Sequence, residues 1–231
     1  MKIYLIPSLL SEETVHLLSP YTKEIVSQTT HYLVENIRTA RRFISAMDAG
    51  VNIRELKFFV LDKKTKYGSV ERYLRNLPSN TSVGVISEAG CPGVADPGAL
   101  AVQVAHQYGW EVVPVPGPSS ILLALMGSGM NGQCFTFQGY LPVDKNKRKS
   151  VLQRLENESA KKSVTQIFME TPYRNNHLFE DVLESCSTGT RLCVAANLTA
   201  PDQFIRTLTV GEWKKKKPDL HKKPTIFLLM A

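Results

Sequence analysis

The chain of 231 residues is 43% hydrophobic and 21% charged, ordinary values for a water-soluble protein with one large core or two smaller ones. No apolar run approaches the roughly 18 residues of a membrane span, and in MKIYLIPSLLSEE the proline and the two acids point to a first strand instead of a secretory leader, so the expected location is the cytoplasm. Four scattered cysteines without a C-x-x-C pair and five histidines without ligand spacing argue against zinc, any other metal and a disulfide scaffold, while a net charge of +7 suits either a polyanion such as RNA or a solvated basic surface.

Strand-like runs at Lys2–Ile6, Tyr32–Glu35, Phe58–Leu61, Ser82–Ser87 and Trp110–Val115 alternate with helix-like runs. The helices are predicted at Ser11–Leu18, Thr39–Ala49, Ser69–Leu77 and Gly98–Tyr108, with Ser11 as N-cap and Glu12 and Glu13 facing the positive helix end. Such alternation predicts a mostly parallel sheet with helices on both faces, an α/β domain over residues 1–115. Pro114–Pro118 holds three prolines in five residues and marks the domain boundary.

Beyond it, helices are predicted at Ser120–Ser128, Lys147–Glu158 and Tyr173–Ser187. Strands are predicted at Gln133–Tyr140, Ser163–Glu170, Arg191–Asn197, Phe204–Val210 and Thr225–Met230. The short link between Arg191–Asn197 and Phe204–Val210 implies antiparallel pairing, so the second α/β domain, residues 119–231, has a mixed sheet.

Ligands of open parallel sheets bind at the carboxyl ends of the strands, and small residues there allow close approach to main-chain groups. The loop Ser87–Gly98, SEAGCPGVADPG, has that composition and follows a predicted strand. Neither a Walker phosphate loop nor G-x-G-x-x-G occurs. The acids Glu88 and Asp96 instead suit ribose hydroxyls or a cationic group. Cys91 reads as a small filler, since no histidine lies near it in sequence to activate it. Two further strand ends carry Glu–Arg pairs, Glu35 with Arg38 and Glu170 with Arg174, which read as either structural ion pairs or site residues.

Taken together, the motifs resemble the tetrapyrrole (corrin/porphyrin) methylase superfamily, and within it the ribosomal-RNA branch of 16S rRNA cytidine 2′-O-methyltransferases. The family loop S-D-A-G-T-P-x-x-S-D-P-G is similar to Ser87–Gly98, and P-G-P-x-x-x-x-x-A-L to Pro116–Leu125. F-x-G-F-L-P with a basic helix start resembles Phe137–Pro142 and Arg148, Y-E-S-P-x-R resembles Met169–Arg174, and A-E-D-T-R resembles Val34–Arg38. The resemblance implies a class III methyltransferase fold of two α/β domains, usually a homodimer, with S-adenosylmethionine in the cleft between the domains. It assigns the cofactor to Ser87, Glu88, Ala89, Gly90, Val94, Ala95, Ser119, Ser120 and Met169.

The chain departs from the family at Pro7–Leu10, at Ala196–Ala200 and at Lys223–Pro224, where a glycine, the R-E-L-T-K charges and a late G-E are missing. Three functions fit this pattern: methylation of ribosomal RNA or the small ribosomal subunit, methylation of a small molecule such as a tetrapyrrole, and non-catalytic RNA or ribosome binding. For the first, the candidate proton acceptors are Glu35 and Glu170, with Arg38 and Arg174 as clamps for phosphate or carboxylate.

Overall fold

β1 (Lys2–Ile6) runs as an interior strand of a five-stranded sheet, and its side chains Ile3 and Ile6 are completely buried, one on each face. The computed structural model describes residues 1–12 and 14–231 and divides into two compact units, Met1–Ser119 and Ser120–Ala231. In the first unit β2 (His31–Val34), β3 (Lys57–Val60), β4 (Ser82–Ile86) and β5 (Glu111–Pro114) join β1 in the order β3-β2-β4-β1-β5, every pair parallel.

Four helices complete this unit: α1 (Pro20–Gln28), α2 (Ile37–Ala46), α3 (Tyr67–Arg75) and α4 (Ala99–Gln107). Ile25, Val26, Phe43 and Ile44 of α1 and α2 pack on one face with Tyr32 and Ile86. Val70, Leu74, Val104 and Ala105 of α3 and α4 pack on the other with Leu33 and Val85. The connections from β1 and β2 therefore leave on one face and that from β4 on the opposite face. This arrangement opens a crevice at their carboxyl ends.

Among the described residues, those predicted as a helix at Ser11–Leu18 do not form one. Only a short 3-10 turn forms at Val15–Leu17, and the helix begins at Pro20, where Ser19 accepts the Thr22 N–H at 3.2 Å and Pro20 supplies a pre-set φ. Ser11 thus caps nothing helical, and Glu13, assigned with Glu12 to that helix's start, lies outside the described residues.

In the second unit a mixed sheet has the order β6-β7-β10-β8-β9. Its strands are β6 (Phe135–Tyr140), β7 (Thr165–Met169), β8 (Arg191–Ala196), β9 (Phe204–Thr209) and β10 (Thr225–Met230). Only β6–β7 is parallel, and β8 and β9 pair antiparallel as their short link requires. Helices α5 (Ser120–Ser128), α6 (Lys145–Lys162), α7 (Asn175–Ser185) and the single-turn α8 (Val210–Trp213) complete the unit. Its core gathers Leu152, Phe168, Phe179, Trp213 and Phe227. Arg148 of α6 is buried against Asp181 of α7, its Nε donating at 2.7 Å. The same guanidinium donates to the carbonyls of Pro142 at 3.1 Å and Val143 at 2.8 Å, which ties the turn after β6 to α6 and α7. Among the described residues no helix is long and apolar enough to cross a membrane.

Candidate active site at the carboxyl edge of the first sheet

Gly84, inside β4, is the first local requirement. A Cβ there would stand 2.8 Å from both Ile6 and the Tyr32 ring, so only glycine lets β4 run between β1 and β2 with those side chains in place. The strand delivers Ser87 into the crevice. Its hydroxyl, buried, donates to the Gly90 carbonyl at 3.3 Å and folds the chain back on itself. Ser8, just past β1, donates its N–H to that same carbonyl at 2.9 Å, so the loops after β1 and β4 are locked together.

The rest of the loop is wound around Asp96. Its Oδ1 accepts the Gly93 N–H at 2.6 Å and the Gly98 N–H at 2.8 Å. Gly90, Gly93 and Ala95 all have positive φ, and for Ala95, at +60°, that conformation is strained. A side chain at Gly98 would press on Asp96 Oδ1 at 2.9 Å and the Gly93 nitrogen at 3.0 Å. Burial holds the Asp96 carboxyl above its usual range against the pull of those two N–H donors. Its second oxygen, Oδ2, is buried without a hydrogen-bond partner among the described residues. Val94, at the tip, is exposed.

The predicted residues fall into two groups. In the first unit, Ser87, Glu88, Ala89, Gly90, Val94 and Ala95 form one loop, and Glu35 joins it by accepting the Glu88 N–H at 3.4 Å. Burial, reinforced by Asp96 and Glu88, raises the Glu35 carboxyl above the usual value. Arg38 does not pair with Glu35 among the described residues. Its N–H is taken by the Asn36 side chain that caps α2.

In the second unit, Met169 ends β7, and Glu170 is buried under Arg174, whose Nη2 donates to Oε1 at 2.8 Å, while the Thr171 N–H donates to that oxygen at 2.7 Å. Ser119 precedes α5 and Ser120 begins it. Cys91 points its thiol at the Pro118 carbonyl, and burial raises its ionisation above the usual range, opposite to the shift a nucleophile needs.

Beside the loop lies a cavity of about 310 Å³ whose walls are Ser8–Glu12, Thr39, Ala40, Arg42, Phe43 and Ala46 of α2, and Ile86–Ala89. Thr39 donates to Glu88 at 2.6 Å across it. Thr39 and Ser8 carry no sequence signal for this role, because Thr39 and Glu88 stand 49 residues apart and only the β1–β4–β2 register joins them. Among the described residues no cluster of His, Cys, Asp and Glu could hold a metal ion.

Residues 23–214 match the family described as Tetrapyrrole (Corrin/Porphyrin) Methylases. The relatives include the ribosomal RNA small subunit methyltransferase I of Vibrio cholerae, 33% identical over 68% of this chain and 53% of that protein. That of Xylella fastidiosa is 32% identical over 79% of this chain and 63% of that protein. The chain thus spans about half to five eighths of the length of these curated relatives.

The fold is that of the methyltransferase CobJ, with a TM-score of 0.64 at 18% identity, covering 100% of this chain and 93% of that one. It is also that of the uroporphyrin-III C-methyltransferase from Thermus thermophilus, solved in complex with S-adenyl homocysteine, with a TM-score of 0.60 at 16% identity over 100% of this chain and 98% of that one. Because the family match runs through most of both units, the chain belongs to the tetrapyrrole (corrin/porphyrin) methylases.

Proposed function

We propose that this protein is an S-adenosylmethionine-dependent methyltransferase of ribosomal RNA, with a ribose 2′-hydroxyl as acceptor. The observation that carries the reading is the Ser87–Gly98 loop, held open at the carboxyl edge of an all-parallel sheet beside a cavity of about 310 Å³. Its residues fit a nucleoside donor. Positive φ at Gly93 and Ala95 keeps their peptide groups out of strand pairing, and Asp96 Oδ2 is a buried polar atom with no hydrogen-bond partner among the described residues. Ser119, Ser120 and Met169 enter the proposal from the family pattern alone. The relatives named as small-subunit RNA methyltransferases and the charge of +7 favour RNA as acceptor.

The donor supplies a methyl group already joined to its leaving group, so the chain's part is alignment and proton removal. Glu35 is the proton acceptor. Burial among carboxylates makes it more basic than an exposed glutamate, and its position at the end of β2 sets it beside the Glu88 main chain. Arg38 offers an exposed cation on the first turn of α2. Glu170 and Arg174 are tied to one another, and we assign them to shaping the turn after β7. A cytoplasmic location follows from an RNA substrate. Exposed apolar side chains such as Met126, 78% exposed, are what a homodimer interface would cover. One observation favours a non-catalytic RNA binder: Ala196 and Ala200 put no charged side chain where the family carries its R-E-L-T-K motif.

Calorimetry with S-adenosylmethionine should show binding, and Asp96→Ala should weaken it about tenfold by releasing the Gly93 and Gly98 N–H groups, in line with the loss of two charge-assisted hydrogen bonds. Labelled methyl should pass to small ribosomal subunits from a strain lacking the protein. Binding of the donor with no transfer to RNA would move the acceptor to a small molecule, and no donor binding at all would end the enzymatic reading.

A further inference from the structure

We propose that the cavity between the β1 loop, α2 and Ile86–Ala89 receives the acceptor nucleotide, with Arg42 taking its phosphate in exchange for Glu12. The inference rests on the RNA methylation reading and names the acceptor's place in it. Leu9, Leu10, Ala40, Phe43 and Ile86 give the cavity an apolar lining suited to a base. Ser8 lines it too, is only 4% exposed, and has a hydroxyl without a hydrogen-bond partner among the described residues. A buried hydroxyl left so is costly unless a ligand group meets it. The Thr39–Glu88 pair adds a second polar point on the wall, suited to a ribose hydroxyl. The cavity shares Ser87, Glu88 and Ala89 with the donor loop, so a nucleotide held here adjoins that loop.

At the mouth, Arg42 Nη2 donates to Glu12 Oε2 at 2.9 Å, with the two side chains 63% and 81% exposed. An ion pair so open to water is weakly held. A phosphodiester presents a guanidinium with the same two-oxygen geometry as a carboxylate and can replace it. Arg41, the neighbour of Arg42 on α2, is occupied over the Phe58 ring at 5.3 Å, which leaves Arg42 as the guanidinium at the cavity. Glu12 acts as an internal stand-in for the substrate's anion.

The test is the opposite sign of two variants. Anisotropy with a short labelled single-stranded RNA should show Arg42→Ala binding about tenfold more weakly and Glu12→Gln about threefold more tightly than wild type, the changes expected when one charge-assisted contact is lost and one competitor is removed. S-adenosylmethionine affinity and thermal midpoint should stay at wild-type values in both. Variants that shift RNA binding in the same direction, or not at all, overturn the proposal while leaving RNA methylation standing if the wild type still transfers methyl. Loss of donor affinity in Arg42→Ala would assign the cavity to the donor and overturn it as well. A wild type that binds a carboxylated porphyrin and no RNA would overturn both this inference and the proposed function.

Discussion

Glu35 shows how a single carboxyl can carry two separable consequences. Its ionisation is raised above the ordinary 4.5, first by burial and then by the neighbouring Asp96 and Glu88 charges, so the folded protein holds that proton more tightly than the unfolded chain does. Stability from this group is therefore whole below the ordinary carboxylate range and declines as pH rises through the raised folded value. Glu35→Gln should melt at a higher temperature than wild type at pH 7 and show no such gain at pH 4. The same change should cut methyl transfer by about a hundredfold or more, the usual share of a positioned base. A variant with wild-type turnover would remove Glu35 from the role.

The strand end that carries Glu35 was legible from the chain alone, as was the four-residue spacing that pairs Glu170 with Arg174. The contacts of Glu88 with Thr39 and of Ser8 with Gly90 were not, since they exist only once distant strands are in register.

At the level of elements, periodicity located the strands to within a residue or two, because their apolar runs are short and bounded by turn residues. It failed at Ser11–Leu18, where Ser11 and the acids after it mimic a helix start, while the true start signal is Ser19–Pro20. It also missed α8, a single turn whose capping box, Thr209 with Glu212, is its only local mark. The Pro116–Pro118 motif illustrates the opposite case, in which the sequence shows the motif but not its reason. A Cβ on Gly117 would lie 2.2 Å from Pro7 Cγ, so the exits of β1 and β5 pack backbone against ring. Gly117→Ala should cost about 1–3 kcal/mol, the usual penalty for overpacking a rigid contact, read as a lower denaturant midpoint. Arg148→Ala should cost more, about 3–5 kcal/mol, by leaving the buried Asp181 carboxylate without its partner. A midpoint equal to wild type in either variant would contradict these packing arguments.

For the molecule as a whole, alternating strands and helices implied a mostly parallel first sheet and the short link after Asn197 a mixed second one, and the two sheets bear that out. Strand order was hidden, because nothing in a strand's own residues names its neighbour. Each unit carries its own apolar cores, two flanking the first sheet and one in the second unit. Residues 1–119 and 120–231, produced separately, should each unfold cooperatively on heating. A fragment with no cooperative transition would show that its core is insufficient alone.

The position of β1 bears on how the chain is made. Lys2–Ile6 lies between Ser82–Ile86 and Glu111–Pro114, not beside the strand that comes next. During synthesis this apolar stretch must stay unmatched until Ser82–Ile86, far along the chain, has left the exit tunnel. Such long-range pairing slows folding and exposes nascent chains to clumping. β1 is thus fully paired only after β5 has been made, which makes this half of the protein a natural client for a chaperone.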